Sequence, residues 1–330
     1  MGGRSSEHEI SLASAASVIE ALQGRYETVA IEIDRKGRWA LPAAASRELG
    51  TAGGDRPIET LPVPAESSVP ATLAEVDVVF PVLHGPFGED GTVQGLLELA
   101  DVPYVGPGVL ASALCMDKDV FKAVLRDRGV PVTKNVTLRD GDPVEHPFPY
   151  PIFIKPARLG SSVGISKVHN SSELGPAVAL AFRHDEKVLI EEFVDGIEVE
   201  CGVLGNREPI ASQPGQIVAH AEWYDFSAKY DEGGMELIVP PPLPEETVEL
   251  VRRLAVEAFV AGECEGMARI DFFVRGDEVL VNELNTIPGF TSMSVYAKLF
   301  AASGIPYTDL LDRLIALALE RHERQQRYAY

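Results

Sequence analysis

Ala268-Arg269-Ile270-Asp271-Phe272-Phe273-Val274, then Arg275 to Glu278, then Val279-Leu280-Val281-Asn282-Glu283-Leu284-Asn285, reads as two apolar strands around a short turn, a hairpin. With a three-residue loop at 276–278, Asp271 falls opposite Glu283 and Arg269 opposite Asn285. A two-residue loop would shift that register. Two carboxylates directly across a ladder repel unless something positive sits between them. These acids sit inside apolar strands, a poor place for a merely solvated acidic face. Oxygen-only donors suit Mg²⁺ or Mn²⁺ and leave room for waters and phosphate oxygens. Asp271, Glu283 and Asn285 are therefore the candidate metal ligands.

Upstream, Tyr150 to Pro156 reads as a strand that ends on Lys155, followed by Ala157-Arg158-Leu159-Gly160-Ser161-Ser162-Val163-Gly164-Ile165. Small residues let successive backbone N–H groups approach an anion, and the serines add donors. No G-x-x-x-x-G-K-[ST] occurs, so this is not a Walker A loop. Alone, the loop could equally be a flexible hairpin. A metal site, a Gly/Ser lid and a lysine together point to nucleotide-driven phosphoryl chemistry.

Around these two segments the chain alternates helix and strand. Ser6-Glu7-His8-Glu9 has the form of a capping box, and Ile10, Leu12, Ala13, Ala16, Ile19 and Leu22 follow at helical spacing. Thr28 to Ile33 alternates like a strand, and the apolar run Val76 to Leu83 reads as a strand covered on both faces of a parallel sheet. His84 follows that strand end, where ligands of open α/β sheets bind, although a histidine in a glycine-rich turn is also a common structural element. Thr92 to Leu99 looks helical. Gly106-Pro107-Gly108-Val109-Leu110-Ala111 matches G-x-G-x-x-A only formally, since Pro107 removes an N–H that an anion cradle would use. It reads as a turn into a helix over 116–128 that Gly129-Val130-Pro131 stops, with Lys118 a solvated lysine in its first turn. Further helices are expected over 172–182, 245–263 and 307–324, and strands over 164–168, 188–194 and 197–204.

The chain has 330 residues, roughly two domains at ~150 residues each. Hydrophobic residues at 45% and charged residues at 24% exclude a mainly disordered chain. Twenty-nine Lys and Arg against 50 Asp and Glu leave a net charge of −21, which repels nucleic acid and anionic membrane. The uncharged stretch Val102 to Met116 is broken by Pro and Gly and is shorter than the ~20 residues of a spanning helix. Cys115, Cys201 and Cys264 stand far apart with no CxxC pair, the pattern of reduced cytosolic thiols. A cytoplasmic protein with a small-molecule substrate is expected.

Seven ordered motifs together resemble the ATP-grasp superfamily, and more closely the D-alanine–D-alanine ligases of peptidoglycan synthesis. They are Gly2 to Ser11, His84-Gly85-Pro86-Phe87-Gly88-Glu89-Asp90-Gly91, Met116-Asp117-Lys118, Lys155 to Val163, Ala228-Lys229-Tyr230, Ala268 to Asp271, and Asn282 to Ser294. The resemblance implies an α/β N-terminal domain with an open parallel sheet, followed by an α+β ATP-grasp fold of two subdomains. The implied divisions are a substrate domain over 1–114, a central subdomain over 115–205, and a C-terminal subdomain with the metal and substrate site over 206–330. ATP would lie between two β-rich subdomains with Lys118 and Lys155 on its phosphates and Ser161 and Ser162 in the lid. Glu191 would take the adenine amine and Glu198 the ribose, with Phe193, Val194 and Phe273 lining the nucleotide pocket. Asp271, Glu283 and Asn285 would hold two Mg²⁺ or Mn²⁺ ions. Glu7 would anchor the ammonium of the first D-Ala, and Ser294 with Val295 the carboxylate of the second. Arg269 and the backbone at Gly289 would stabilise the tetrahedral intermediate, with His84 and Lys229 also at the substrates. Glu7, Ser161 and Tyr230 would tie a mobile loop over the site, and a homodimer is implied.

The family begins with a β-strand just before the Gly-Gly motif, and here Met1 takes that place. The open sheet is therefore expected to lack its first strand and to expose a neighbour's edge. Among other readings, D-alanine–D-lactate ligases usually carry a different loop with His where Lys229-Tyr230 stands. A non-catalytic nucleotide-binding relative would be expected to have lost some of Lys118, Lys155, Arg269, Asp271, Glu283 and Asn285.

Overall fold

The computed structural model describes residues 1–40, 72–73, 75–219 and 235–328. It opens on helix α1 (His8–Leu22), whose Ala15, Val18 and Leu22 face inward. Ser6 does not cap it. Glu7 stands at the N-cap position with no side-chain cap, because its carboxylate is turned into a neighbouring loop. Strand β1 (Glu32–Ile33) forms a ladder with β2 (Trp39–Ala40) and is a much shorter element than the strand expected over 28–33.

The parallel sheet expected here is reduced to single bridges among the described residues. Gly2 bridges Ile33, and Val79 bridges Tyr104, both in parallel. Met1 O accepts from Ile33 N at 2.8 Å and Gly3 N donates to Ile33 O at 2.7 Å, so the chain start itself supplies the pairing for Ile33. Val79 is bonded to residues 103–105 on one edge only, so Val76 to Leu83 does not form the expected long strand. Phe80, half-buried, packs instead against Phe290, with ring centroids 5.5 Å apart.

Helices α2 (Thr92–Leu99), α3 (Val109–Met116) and α4 (Lys118–Asp127) follow. The helix expected over 116–128 is thus two helices that meet at Asp117. That residue is extended, and its side chain accepts from Val120 N at 3.2 Å, which starts α4 afresh. Next come β3 (Asn135–Arg139), β4 (Ile152–Pro156), β5 (Ser166–Val168), α5 (Ser171–Phe182) and β6 (Lys187–Glu192). They build an antiparallel four-stranded sheet in the order β3-β6-β4-β5. Ile152, Ile154, Val188 and Ile190 pack on one side against Ala177, Val178 and Ala181 of α5.

The second sheet takes β7 (Ile197–Gly205), β8 (Ile210–Ala211), β9 (Gly215–Ala219), β10 (Met235–Ile238), β11 (Gly266–Arg275) and β12 (Glu278–Asn285), in the order β10-β9-β7-β11-β12 with β8 on β7. Helix α6 (Glu245–Ala261) lies between β10 and β11 in sequence. It packs with Phe121 and Leu125 of α4 against Val199, Ile270, Phe272 and Val281. Helices α7 (Val295–Ala302) and α8 (Tyr307–Gln325) share a further core with α1 and with Val82 and Val105. The sheets are joined where Thr133 N donates to Val281 O at 3.1 Å and Val281 N donates to Pro131 O at 2.9 Å. All three cysteines are buried and unbridged. No helix among the described residues is long and apolar enough to cross a membrane.

The hairpin has the expected pairing by an unexpected route. Its turn has two residues, Gly276 and Asp277, with Gly276 at φ 58° and Arg275 opposite Glu278. That turn alone would move Asp271 out of line with Glu283. A bulge restores the alignment: Phe272 pairs with Val281 while Asp271 pairs with Glu283, so Asn282 is an extra residue on β12. Phe272 beside it is fully buried. Truncation by Phe272→Ala should cost about 3–5 kcal/mol in a urea titration. A loss below ~1 kcal/mol would mean that the core around the bulge is loosely packed.

Candidate active site

Side chains alternate along a strand and face the same way as their partners across the ladder. Register therefore puts Arg269, Asp271 and Phe273 of β11 on one face with Glu283 and Asn285 of β12 and Glu198 and Glu200 of β7. Arg269 grips Asp271 with both ends of its fork, Nε to Oδ1 and Nη2 to Oδ2, each at 2.7 Å. Its Nε also lies 2.9 Å from Glu200 Oε2. Burial opposes the charge on Arg269, but Asp271, Glu200 and Glu283 outweigh it and hold the guanidinium well above its ordinary pKa. Asn285 Nδ2 donates to Asp271 Oδ2 at 3.0 Å. Glu283 Oε2 lies 3.2 Å from Lys118 Nζ. The repulsion expected between Asp271 and Glu283 is thus relieved by one cation on each.

Among the described residues no three His, Cys, Asp or Glu side chains converge as a metal cage. The set of two carboxylates and one amide fits a small hard cation that draws the rest of its shell from water and phosphate.

Facing this surface is the end of β4. Lys155 Nζ lies 2.5 Å from Glu191 Oε2 on β6 and donates to Asn282 Oδ1 at 3.2 Å. Glu191 Oε1 accepts from Lys122 Nζ, which also donates to Thr133 Oγ1 at 2.6 Å. Burial works against all three charges. It brings Lys122 down to about 8, while the two lysines together still hold the Glu191 carboxyl below its usual range. On Lys155 the charges of Glu191 and Glu283 outweigh burial and raise the pKa. Lys118 is also buried, not solvated, and donates to Leu159 O at 2.8 Å, which ties it to the Gly/Ser loop. In that loop Ser161 and Ser162 take φ 51° and 58°, a left-handed pair that non-glycine residues avoid.

Glu7 meets the same loop. Ser161 Oγ donates to Glu7 Oε1. A Cβ at Gly85 would come within 2.5 Å of Glu7 Oε2 and one at Gly160 within 3.1 Å, so two bare backbones make the space for this carboxylate. Lys229 and Tyr230 lie outside the described residues.

On the nucleotide side, Phe193 packs 6.2 Å from Phe153 with Lys167 Nζ 4.8 Å over its ring. Val194 is buried, and Glu198 pairs with the half-buried Phe273. Glu191, expected at the adenine amine, has both side-chain oxygens engaged by lysines. Ser294 precedes α7 without capping it; its Oγ accepts from Thr291 N at 2.9 Å. The N–H groups at Val295 and the next residues open on this end, and a Cβ on Gly289 would stand 3.4 Å from Ser294 Oγ.

His84 is buried, with a protein partner on each ring nitrogen. Its Nδ1 donates to Ile287 O at 2.9 Å, which leaves Nε2 to accept from Ser14 Oγ at 3.2 Å. Both ring nitrogens are thereby engaged by protein, and burial lowers the imidazole pKa. Glu89 joins the same two loops: its oxygens accept from Gly85 N at 2.6 Å and Ile287 N at 2.9 Å. Burial first, and the Glu7 charge second, push this carboxyl up to about 8.

Sequence reasoning missed Lys122, Asn282, Glu89 and Glu200. For Lys122 a signal existed: Lys118, Phe121, Lys122 and Leu125 share the buried face of α4, so two lysines occupy core positions. Glu89 carries a pH consequence. The unfolded carboxyl releases its proton near 4.5 and the folded one near 8. Stability from this group is therefore full at low pH and falls as pH rises through that interval. The melting midpoint of Glu89→Gln should decline less than wild type over that interval; parallel profiles would remove Glu89 as the cause.

Two family models match the chain: D-ala D-ala ligase N-terminus over residues 1–107, and D-ala D-ala ligase C-terminus over 124–316. A D-alanine–D-alanine ligase of Solibacter usitatus is 47% identical over 98% of this chain and 95% of its own length. The solved D-alanine–D-alanine ligase of Coxiella burnetii superposes with a TM-score of 0.81 at 38% identity, covering 99% of this chain and 95% of that one. The VanG D-Ala:D-Ser ligase of Enterococcus faecalis does so with a TM-score of 0.80 at 36% identity, covering 96% and 97%. With its four- and six-stranded antiparallel sheets and near full-length matches, this chain belongs to the D-alanine–D-alanine ligase family.

Proposed function

We propose that the chain joins two D-alanines to D-alanyl-D-alanine with ATP as the phosphoryl donor, for peptidoglycan precursor synthesis. The observation that carries this reading is the meeting of Lys118 and Lys155 with the hairpin that bears Asp271, Glu283 and Asn285, through Glu283 and Asn282. Cations that meet phosphate and oxygen donors that meet a metal are what phosphoryl transfer to a carboxylate requires.

In this reading Asp271, Glu283 and Asn285 would hold two Mg²⁺ or Mn²⁺ ions, which would supply positive charge against the phosphate oxygens. Lys118 and Lys155 take the remaining charge, and the loop at Ser161 and Ser162 covers the phosphates. Phe193, Val194, Phe273, Glu198 and Glu191 border the adenosine. Glu7, in its cradle of Gly85 and Gly160, holds the ammonium of the first D-Ala. The carboxylate of that D-Ala attacks the γ-phosphorus, ADP leaves, and a D-alanyl phosphate forms. The N-terminus of α7 at Ser294 and Val295 holds the carboxylate of the second D-Ala. The amine of that second D-Ala attacks the acyl carbon, loses a proton and expels inorganic phosphate. Arg269 and the backbone near Gly289 receive the oxyanion of the tetrahedral intermediate. Lys229 and Tyr230 complete the lid by family resemblance, and closure keeps water off the acyl phosphate. The divisions at 1–114, 115–205 and 206–330, a homodimeric assembly and a cytoplasmic location belong to the same reading. Strand pairing marks a nearer seam at 193–196, since β7 already pairs with β9 and β11.

The decisive experiment is ADP release from ATP and Mg²⁺ with D-Ala titrated alone, then with D-lactate or D-Ser competing, and products weighed by mass spectrometry. D-Ala-dependent ADP release with D-Ala–D-Ala as the product is expected. A depsipeptide or D-Ala–D-Ser as the main product would instead reassign the second subsite. ATP binding with no turnover on any of these substrates would make the chain a non-catalytic relative. Arg269→Lys keeps the charge but loses the fork on Asp271, and should lower kcat by about 100-fold. An unchanged kcat would remove Arg269 from the oxyanion's partners.

A further inference from the structure

The bulge in β12 puts one more residue into the site than an unbroken ladder allows. In a regular strand Asn282 would face away from Glu283, because neighbours alternate. Here Asn282 has no partner on β11, since Asp271 pairs with Glu283 and Phe272 with Val281. Both side chains reach the lysines: Asn282 Oδ1 lies 3.2 Å from Lys155 Nζ, and Glu283 Oε2 lies 3.2 Å from Lys118 Nζ. Bulges of this kind re-aim side chains next to active sites.

An ammonium has three N–H donors. On Lys155, Glu191 Oε2 takes one at 2.5 Å and Asn282 Oδ1 takes another. Two acceptors at fixed places determine where the third N–H points. Asn282 is itself 9% exposed, so water does not compete freely for its amide. The chemistry of the residue fits this role. A neutral carbonyl directs the ammonium without adding charge, whereas an aspartate would put another anion where Glu191 and Glu283 already stand.

We infer that Asn282 is a positioning residue, brought to the site by the β12 bulge, whose amide oxygen aims the third N–H of Lys155 at the phosphates of ATP. The inference rests on the ligase reading above, in which Lys155 meets the phosphates of ATP. Asn282 acts through Lys155 and touches neither substrate nor metal.

The test combines ATP binding by calorimetry, thermal melting and steady-state kinetics on wild type, Asn282→Leu and Asn282→Asp. Leu keeps the size and removes the acceptor, while Asp keeps an oxygen at the same place. Asn282→Leu should weaken ATP binding roughly tenfold, as for a hydrogen bond to a charged group, and lower kcat with it. KM for D-Ala and the Mg²⁺ concentration for half-activation should stay at wild-type values, and Asn282→Asp, which restores the acceptor but adds an anion, should recover only part of the ATP affinity. In a Lys155→Met background, Asn282→Leu should have no further effect on ATP binding. If Asn282→Leu does not fold, Asn282→Ala carries the same comparisons. Wild-type ATP affinity and kcat in the folded variant would overturn the inference and leave the ligase reading intact. So would additive losses in the Lys155→Met background, or a raised Mg²⁺ requirement, which would make Asn282 a metal ligand. A wild-type chain that neither binds ATP nor releases ADP with D-Ala would overturn both.

Discussion

A buried network of ion pairs at the four-stranded sheet, tied to the six-stranded sheet through Asn282, is the constraint on which the site depends. Lys122, Glu191 and Lys155 are buried together, and each would be costly alone in that medium. Glu191 is tolerable because a lysine engages each of its oxygens. Lys155 is tolerable because Glu191 and Asn282 hold it. The chain of contacts runs from Thr133 through Lys122, Glu191 and Lys155 to Asn282, from the four-stranded sheet to the hairpin of the six-stranded one. Glu283 with Lys118, and Asp271 with Arg269, extend it along the hairpin. Removing one member would strand the charge of another. The sheets are therefore coupled in the region where a phosphoryl group would pass between them.

A second corner of the site depends on what is absent from side chains. Glu7 enters the cleft at the start of α1 because Gly85 and Gly160 leave room for its carboxylate, and Ser161 meets it. Close by, His84 and Glu89 hold Gly85 and Ile287 at fixed distances. The loop of the N-terminal part and the segment after β12 are thus tied by two buried side chains, His84 and Glu89.

The sequence was most legible where apolar runs carried acids. The hairpin of β11 and β12, its pairing of Asp271 with Glu283, and the sheet strands around Lys155 were all readable from pattern. Yet that pairing was inferred from a three-residue loop, whereas the chain makes a two-residue turn and a bulge. Two errors of one residue cancelled. Local pattern cannot reveal a bulge, because an extra residue changes no residue type, only its partner. Lys118 was read as solvated because its neighbours in sequence are polar, and its burial comes from Leu159 and Glu283 far along the chain. The N-terminal strands are shorter than their apolar runs suggest for a related reason. Apolar runs predict extended chain, but a ladder needs partners on its edges.

By itself the sequence determined the kinds of chemistry at hand: oxygen donors for a hard cation, lysines for phosphate, a small-residue loop between strands, and the motifs that mark the family. These are properties of residue type and short spacing, which a linear chain carries whole. Only the tertiary structure decided which groups are engaged and which remain to act. It turned His84 into a brace, gave Glu191 to two lysines, and brought Asn282 beside Lys155. The reason is physical. Hydrogen-bond capacity and charge are spent on whatever lies within about 3 Å, and the fold alone decides which residues from distant parts of the chain come that close.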